Sequence, residues 1–382
     1  MLTRREVILA KVESTYNWDS APTAAANAVL VEEPSWSYEG GRMVERPGSA
    51  GTMAPKQSVF GGALKSISFK AELKGSGVMD TPPEIGVLLR GCGMSETVSV
   101  GTSVTYEPAS SGHESLAIYY YSDGLLYVLT GAVGSFTASL EAGNKGMLNF
   151  TFTGHVMQFG TAQAGGATSI TLPAAATATD DVYNGMVIEI THGTGVGQSK
   201  TISDYDGTTK VATVSTWTTN PDNTSRFKIH NGPIDRAIVS PAFDSTVPPI
   251  VNAVPFSIDS YEAVISALEF DMGLTIATPA SASSPDGFST VYLTGRSVTG
   301  SFDPEATLIA THDFIGNWRN GTSMALTTNQ IGGASGNRIK IDMPAVFYSE
   351  AAQGDRDGIR TFAMSFGAVE SSGDDEVSIV FS

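Results

Sequence analysis

One cysteine is present in the chain, Cys92, held between two glycines in PPEIGVLLRGCGMSE (Pro82 to Glu96) directly after a short apolar run. A nucleophilic cysteine needs a base to withdraw its proton and a third group to orient that base. Neither stands beside it in sequence, and the nearest histidine, His113, lies beyond a polar stretch. The residues are therefore read as placing Cys92 beside Leu88 and Leu89 as a small buried hydrophobe.

Phosphate chemistry is suggested by HGTGVGQSKT, from His192 to Thr201, whose glycines are of the kind that let backbone N–H groups cradle an anion. The spacing does not fit a P-loop. Gln198 and Ser199 separate the last glycine from Lys200, and a strand pattern follows where a helix is needed, so a glycine-rich strand connection is expected. Calcium chemistry would need spaced oxygen ligands and a closing glutamate, which Asp355-Arg356-Asp357-Gly358 lacks; a turn with salt bridges is expected there. Asp374-Asp375-Glu376 is read as a solvated acidic rim before the final strand pattern VSIVFS. The five histidines, His113, His155, His192, His230 and His312, show no zinc spacing, and no Gly-x-Ser-x-Gly elbow occurs. No catalytic, cofactor-binding or metal-ligating residue is assigned, and the chain is not expected to be an enzyme.

The elements that must position these residues are strands. Forty-one glycines, abundant serine and threonine and few long amphipathic stretches indicate mainly β structure joined by turns. A length of 382 residues suffices for two or three domains. The balance of 22 basic against 39 acidic residues gives a formal charge of −17, which disfavours nucleic acid as a bound ligand. It still permits an acidic channel that DNA passes without sticking, because like charge repels phosphate over about 8 Å at physiological salt. A single cysteine excludes an intrachain disulfide framework and points to a cytosolic product. The apolar run Val7 to Ala10 is too short for a signal-peptide core, and no run approaches the ~20 apolar residues of a membrane-spanning helix.

Asp-Gly pairs at Asp123-Gly124, Asp206-Gly207 and Asp286-Gly287 sit between strand-like runs and read as hairpin turns, since both residues accept positive φ. Short helices are expected at Pro83 to Arg90 and within Thr311 to Gly321. The run DSAPTAAANAVLVEE permits either a helix or an exposed loop. An internal repeat is the most informative feature. SWSYEGGRMVERP, ending at Pro47, lies over ALEFDMGLTIATP, ending at Pro279, at a constant separation of 232 residues, so that Trp36 meets Leu268, Tyr38 meets Phe270, Glu39 meets Asp271 and Gly41 meets Gly273. Val59 and Phe60 then meet Val291 and Tyr292, and after a one-residue slip Gly62, Phe69 and Glu72 meet Gly295, Phe302 and Glu305. The Gly-Asn-basic runs after Glu141 and Gly333 are matched in the same way, with extra hairpin material in the first copy between Gly91 and Glu141.

Between the copies, from about Gly160 to Gly232, short strands with their own apolar positions (Ile170, Leu172, Met186, Ile188, Ile190, Ile202, Val211, Val214, Phe227, Ile229) read as a small inserted β-domain. The runs AQAGGA and NGPID would act as its hinges. The division expected is 1–159, 160–232 and 233–382.

The run FKAELKGSG followed by PPEIGVLLRGCGM, and then VTYEPASSGHESLAIYYYSDGLLYVLTGAVGSFTASLEAGNKGMLNFTFTG, resembles the major tail tube proteins of long non-contractile-tailed bacteriophages. The second copy, from VYLTGRSVTGSFDPEA through GNRIKIDMPAVFYSEAAQGDRDGIRTFAMSF to DDEVSIVF, resembles the C-terminal tube domain of the larger members. The insert is similar to small β decorations of phage structural proteins. The resemblance implies two tandem tail-tube β-sandwich or barrel domains with short flanking helices. It further implies a virion protein, made in the host bacterial cytoplasm, that stacks as rings into the tail tube and forms an acidic channel for genome ejection. Two tube domains per chain imply a homotrimeric ring with pseudo-sixfold symmetry. Subunits would be linked by strand addition, with the N-terminal arm TRREVILAKV bridging neighbours. The implied partners are a tape-measure protein inside and tail terminator and distal tail proteins at the ends, with DNA passing through unbound and no membrane insertion; no cofactor is implied. Cys92 becomes a small residue after the flanking helix. The alternative is a β-rich adhesin or carbohydrate-binding module, with Trp217 and Tyr205 of the insert lining a sugar surface; a glycan hydrolase would need a carboxylate pair that cannot be singled out.

Overall fold

The structure is a computed structural model of the chain and describes residues 4–39, 41–48, 51–252 and 254–382. The chain is mainly β. Its first stretch forms β1 (Glu6–Val12), β2 (Ala28–Val29), β3 (Val31–Glu39), β4 (Met43–Val44), β5 (Val59–Phe60), β6 (Leu64–Glu72), helix α1 (Gly86–Gly91), β7 (Met94–Ser99), β8 (Ser103–Pro108), β9 (Leu116–Ser122), β10 (Leu125–Glu141) and β11 (Met147–His155). The middle forms β12 (Met157–Thr161), β13 (Ala164–Gly166), β14 (Ser169–Thr171), β15 (Val187–His192), β16 (Ser199–Asp206), β17 (Val211–Val214) and β18 (Arg226–His230). The remainder forms β19 (Ile234–Asp235), β20 (Phe256–Ile258), β21 (Tyr261–Ala263), β22 (Ala267–Asp271), β23 (Thr275–Ala277), β24 (Tyr292–Gly295), β25 (Thr299–Phe302), helix α2 (Phe314–Asn320), β26 (Met324–Thr327), β27 (Ile339–Arg356), β28 (Ile359–Ala368) and β29 (Ser378–Phe381).

Eighteen strands form one hydrogen-bonded, barrel-like network. Within it runs an eight-stranded antiparallel sheet in the order β3-β6-β11-β10-β22-β25-β28-β27. Its first four strands come from the first repeat and its last four from the second, in the same relative order. Period-two alternation along these strands turns Phe69, Phe136, Phe150, Phe270, Phe302 and Phe366 toward one continuous core shared by both units. Burying each such ring contributes roughly 1.5–3 kcal/mol. The core also holds Leu88 and Leu89 of α1 and Phe314 of α2.

Two long strands pass from this sheet into an outer layer. The N-terminal half of β10 pairs with β9 and β19, and its C-terminal half with β11 and β22. Register shifts near Leu129 to Val133 mark the bend, as β-bulges do. Gly131 sits there at φ +59, where a Cβ would run into Tyr16 and His155. The strand β27 does the same in the second unit, with β26 and β29 on its N-terminal half and β28 on the other. The outer layer is thus β2-β1-β9-β10-β19 over the first unit and β21-β20-β26-β27-β29-β8-β7 over the second.

The expected repeat meets this topology with two corrections. Met43 and Val44, carried forward by 232 residues, fall on Thr275 and Ile276, so the small hairpin β4–β5 is matched by β23–β24. The ladders beside them differ by two residues: Trp36 faces Ile67, whereas Leu268 faces Phe302, a slip that leaves each side chain on its own face. The match of the Gly-Asn-basic runs fails topologically. The strand after Lys145 is β11, third in its four, and the strand after Arg338 is β27, last in its four. The extra hairpin of the first copy, β7–β8, does not cover its own unit; β8 pairs with β29 of the second.

Met157–His230 forms a separate seven-stranded sheet, β12-β18-β15-β16-β17-β14-β13. Its expected apolar positions are all buried except Val211, which is half-buried. The hinge expectation does not hold. AQAGGA contributes β13 and the buried Ala162, and Asn231 is fully buried ahead of β19. The insert's core is continuous with Val7, Leu9, Tyr119, Tyr121 and Val128 of the first unit, so apolar packing seats it there. The N-terminal arm is not free either, since β1 pairs along its whole length with β9 and buries Val7 to Ala10.

Among the hairpin signals, Asp123-Gly124 forms the two-residue turn expected, with φ +38 and +105. Asp206-Gly207 opens a longer connection in which Asp206 accepts from the Thr208 and Thr209 amides. Asp286-Gly287 lies in the broad β23–β24 loop, with Asp286 wholly buried. Both short helices form, and DSAPTAAANAVLVEE takes the loop alternative before β2 and β3. No helix among the described residues is long and apolar enough to cross a membrane.

Candidate assembly interface

The eight-stranded sheet has two edges. Among the described residues β3 pairs with β6 alone, and the stretch Glu350–Arg356 of β27 pairs with β28 alone. Such edges present unpaired backbone donors and acceptors that template another strand. Inside the chain the equivalent edges already meet. The C-terminal part of β10, the counterpart of β27, pairs with β22, the counterpart of β3, from Thr137 opposite Asp271 to Glu141 opposite Ala267. Phe136 and Phe270 pack edge to face behind this ladder, with ring centroids 6.3 Å apart.

Away from the core, the sheet presents short polar groups. Thr137, Ser139, Asn149, Asp271, Thr299 and Ser301 line a shallow groove that crosses the β10–β22 join. Lysines at its margin are held by carboxylates: Lys70 by Glu33 at 2.7 Å, and Lys145 by Glu32 and Glu72 at 2.5 and 2.8 Å. These pairs stiffen the margin, and because such exposed bridges contribute only about 0–1 kcal/mol each, the shared aromatic core holds the join.

A second join is polar. His155, fully buried at the end of β11, sets Nδ1 2.5 Å from Asp286 Oδ2 and Nε2 2.9 Å from the Tyr16 hydroxyl, which in turn accepts from the Val291 amide at 2.7 Å. Phe288 and Val291 close over Leu64 and Val133 beside it. The β23–β24 hairpin of the second unit is thereby clamped onto the first. His155 had no metal spacing, and neither it nor Asp286 gave any local signal of pairing across 131 residues.

The neighbouring seam with the insert buries several charges. Glu13 accepts from the Gly131 and Asn17 amides and from Ser115, yet burial pushes its carboxyl up to about 8. Asp19, bonded by Tyr119, is likewise raised by burial to about 6. Lys65 lies with Nζ 5.0 Å from the Trp36 ring centroid and 3.4 Å from the Asn231 carbonyl, and desolvation lowers it to about 7.

The remaining sequence candidates resolve as follows. Cys92 is fully buried in the shared core and burial raises its thiol well above the usual range, which opposes thiolate formation. His113 borders a hollow that Cys92 also lines, its Nε2 2.8 Å from the Ala109 carbonyl. The loop after His192 joins two antiparallel strands, with Gly193, Gly195 and Gly197 at positive φ and Lys200 on β16, so it has no helix N-terminus for a phosphate. Asp357-Gly358 is the two-residue turn of β27–β28, and Arg356 pairs with Asp303 and Glu305. The expected acidic rim is a tie between units: Arg296 pairs with Asp374 and Glu376, and Asp374 accepts from Ser110. Trp217 and Tyr205 are buried and so do not line a sugar surface. No group of three or more His, Cys, Asp or Glu among the described residues could hold a metal ion.

Comparison with protein-family models found no match, and comparison with curated proteins found none either.

Proposed function

We propose that the chain is a tail tube protein whose copies close laterally into rings, three to a ring, and stack into the conduit through which a phage genome leaves. The observation that supports this reading is the β10–β22 join: two four-stranded units already meet edge to edge within one chain, and among the described residues the counterpart outer edges of β27 and β3 are paired by no further strand. Strand addition between β27 of one copy and β3 of the next would repeat the internal contact and extend one sheet around a ring. The hydroxyl- and carboxylate-bearing face is assigned to the lumen. There its acids, with the marginal lysines already paired, would repel phosphate and let DNA slide.

Negative-stain electron microscopy of the purified chain over a concentration series tests the reading. Hollow rings with threefold class averages are expected, and tubes at higher concentration. A chain that stays monomeric throughout, and also fails to join tubes when supplied with tail initiator components, overturns it.

A further inference from the structure

We infer that the β4–β5 arm of one chain docks over Phe347 and Val369 in the second unit of a neighbouring copy, as the β23–β24 hairpin docks on the first unit of its own chain. This rests on the ring assembly proposed above and specifies which surfaces meet.

The two hairpins are equivalent position by position. Their ladders are related by a separation of 233 residues, Met43 opposite Phe60 matching Ile276 opposite Leu293 and Val44 opposite Val59 matching Ala277 opposite Tyr292, so the loops have equal length; Met53 corresponds to Asp286 and Ser58 to Val291. The receiving surfaces are equivalent through the ladders. Phe69 faces Phe150, which faces Phe136; its match Phe302 faces Met364, which faces Ala351. Followed along the same strands, Val133 opposite Thr153 corresponds to Phe347 opposite Gly367, and His155 corresponds to Val369.

The equivalent positions differ in what covers them. Val133 is 4% exposed beneath Phe288 and Val291, whereas Phe347 is 38% and Val369 41% exposed. The arm shows the complementary exposure where Asp286 is wholly buried, its counterpart Met53 being fully exposed. Within one chain, then, both halves of the contact exist, uncovered by each other among the described residues, and a second copy supplies both. The chemistry has changed in concert. Where the internal contact pairs His155 with Asp286, the equivalent positions are Val369 and Met53, so an apolar pair replaces the ionisable one.

The test uses full-length chains carrying either Ser58→Cys or Phe347→Cys, mixed as monomers, allowed to assemble, and oxidised. A disulfide-linked two-chain species is expected from the mixture and not from either variant alone, nor when Phe347→Cys is replaced by Val98→Cys on exposed β7. Electron microscopy of the same sample separates the two readings. Rings without the cross-link overturn the docking and leave the tube reading standing; the cross-link without rings supports the docking and counts against the tube. Absence of both, with tail initiator components supplied as well, overturns both. In a second variant, Phe347→Asp should raise the concentration needed for rings by about tenfold or more, equivalent to about 1.4 kcal/mol, with the monomer's melting unchanged. Unaltered assembly of that variant also overturns the docking.

Discussion

The two four-stranded units share a strand order and a core, yet one is finished and the other is open. In the first, the β23–β24 hairpin covers Val133 and His155 and the edge of β10 is paired; in the second, Phe347 and Val369 are exposed and, among the described residues, the outer edge of β27 from Glu350 to Arg356 is paired by no further strand. The difference teaches that one interface can be built twice, once within the chain and once, on the reading proposed, between copies. On that reading it also separates residues that hold the monomer from residues that would serve assembly.

The largest effect should come from the open edge. Backbone N–H groups point alternately to the two sides of a strand, so of Gln353 and Gly354 one directs its N–H away from β28. Proline there removes a ladder donor at the edge only. Rings are expected to disappear for that variant while its circular dichroism and melting stay those of the parent. Persistence of rings in both proline variants would break the equivalence of β27 with β10.

Next in size is a matched pair of charges. Val133→Asp should destabilise the monomer by roughly 3–5 kcal/mol, since the carboxylate is buried without a partner, whereas Phe347→Asp should cost less than about 1 kcal/mol in urea unfolding. Equal losses would mean that the two positions are not differently covered.

Lys65 sharpens the comparison from inside, because Val298 occupies its place in the second unit and is buried there without charge. A lysine lowered from 10.5 to about 7 binds fewer protons folded than unfolded between those values. Stability from this group therefore rises with pH through that window, and below about 7 the full penalty of burying the charge applies. Lys65→Met should be more stable than the parent, with an advantage that grows as pH falls from 10.5 to about 7 and then levels off. Its size should be a few kcal/mol, each unit of displacement being worth about 1.4 kcal/mol. Melting curves across pH would show it.

The clamp between units comes next: Asp286→Asn leaves His155 without its carboxylate and should cost about 1–3 kcal/mol. Chemical denaturation would measure it, and no loss would mean that Phe288 and Val291 hold the hairpin alone. Smallest is Cys92→Ser, expected to cost about 1 kcal/mol for a buried hydroxyl, with native Cys92 reacting with a thiol reagent only as fast as the chain unfolds.

Much of the local structure was legible. Asp123-Gly124 marked its turn because positive φ favours those residues, and Pro82 and Pro83 marked the approach to α1, which begins at Gly86 after an Ile85 N-cap. The constant separation of the repeat located the β23–β24 hairpin from β4–β5, although the ladders of the two are offset by one residue from it, a slip that apolar spacing alone does not reveal. Less legible were Asp286-Gly287, whose turn signal gave no hint of the buried aspartate, and the acidic run at Asp374, where sequence composition suggested solvent and Arg296 supplied partners instead.

By itself the sequence determined a mainly β chain, the positions of its turns, a twofold internal repeat and an intervening stretch with an apolar pattern of its own. Alternation and turn chemistry act over a few residues, so they can be read without knowing what lies opposite. Only the tertiary structure decided that β8 crosses to β29, that β10 meets β22, that His155 finds Asp286, and that Lys65 is buried. Each depends on which strands become neighbours across a hundred residues or more, or on how layers stack. Backbone hydrogen bonds are the same for every residue type, so no local pattern names a strand's partner.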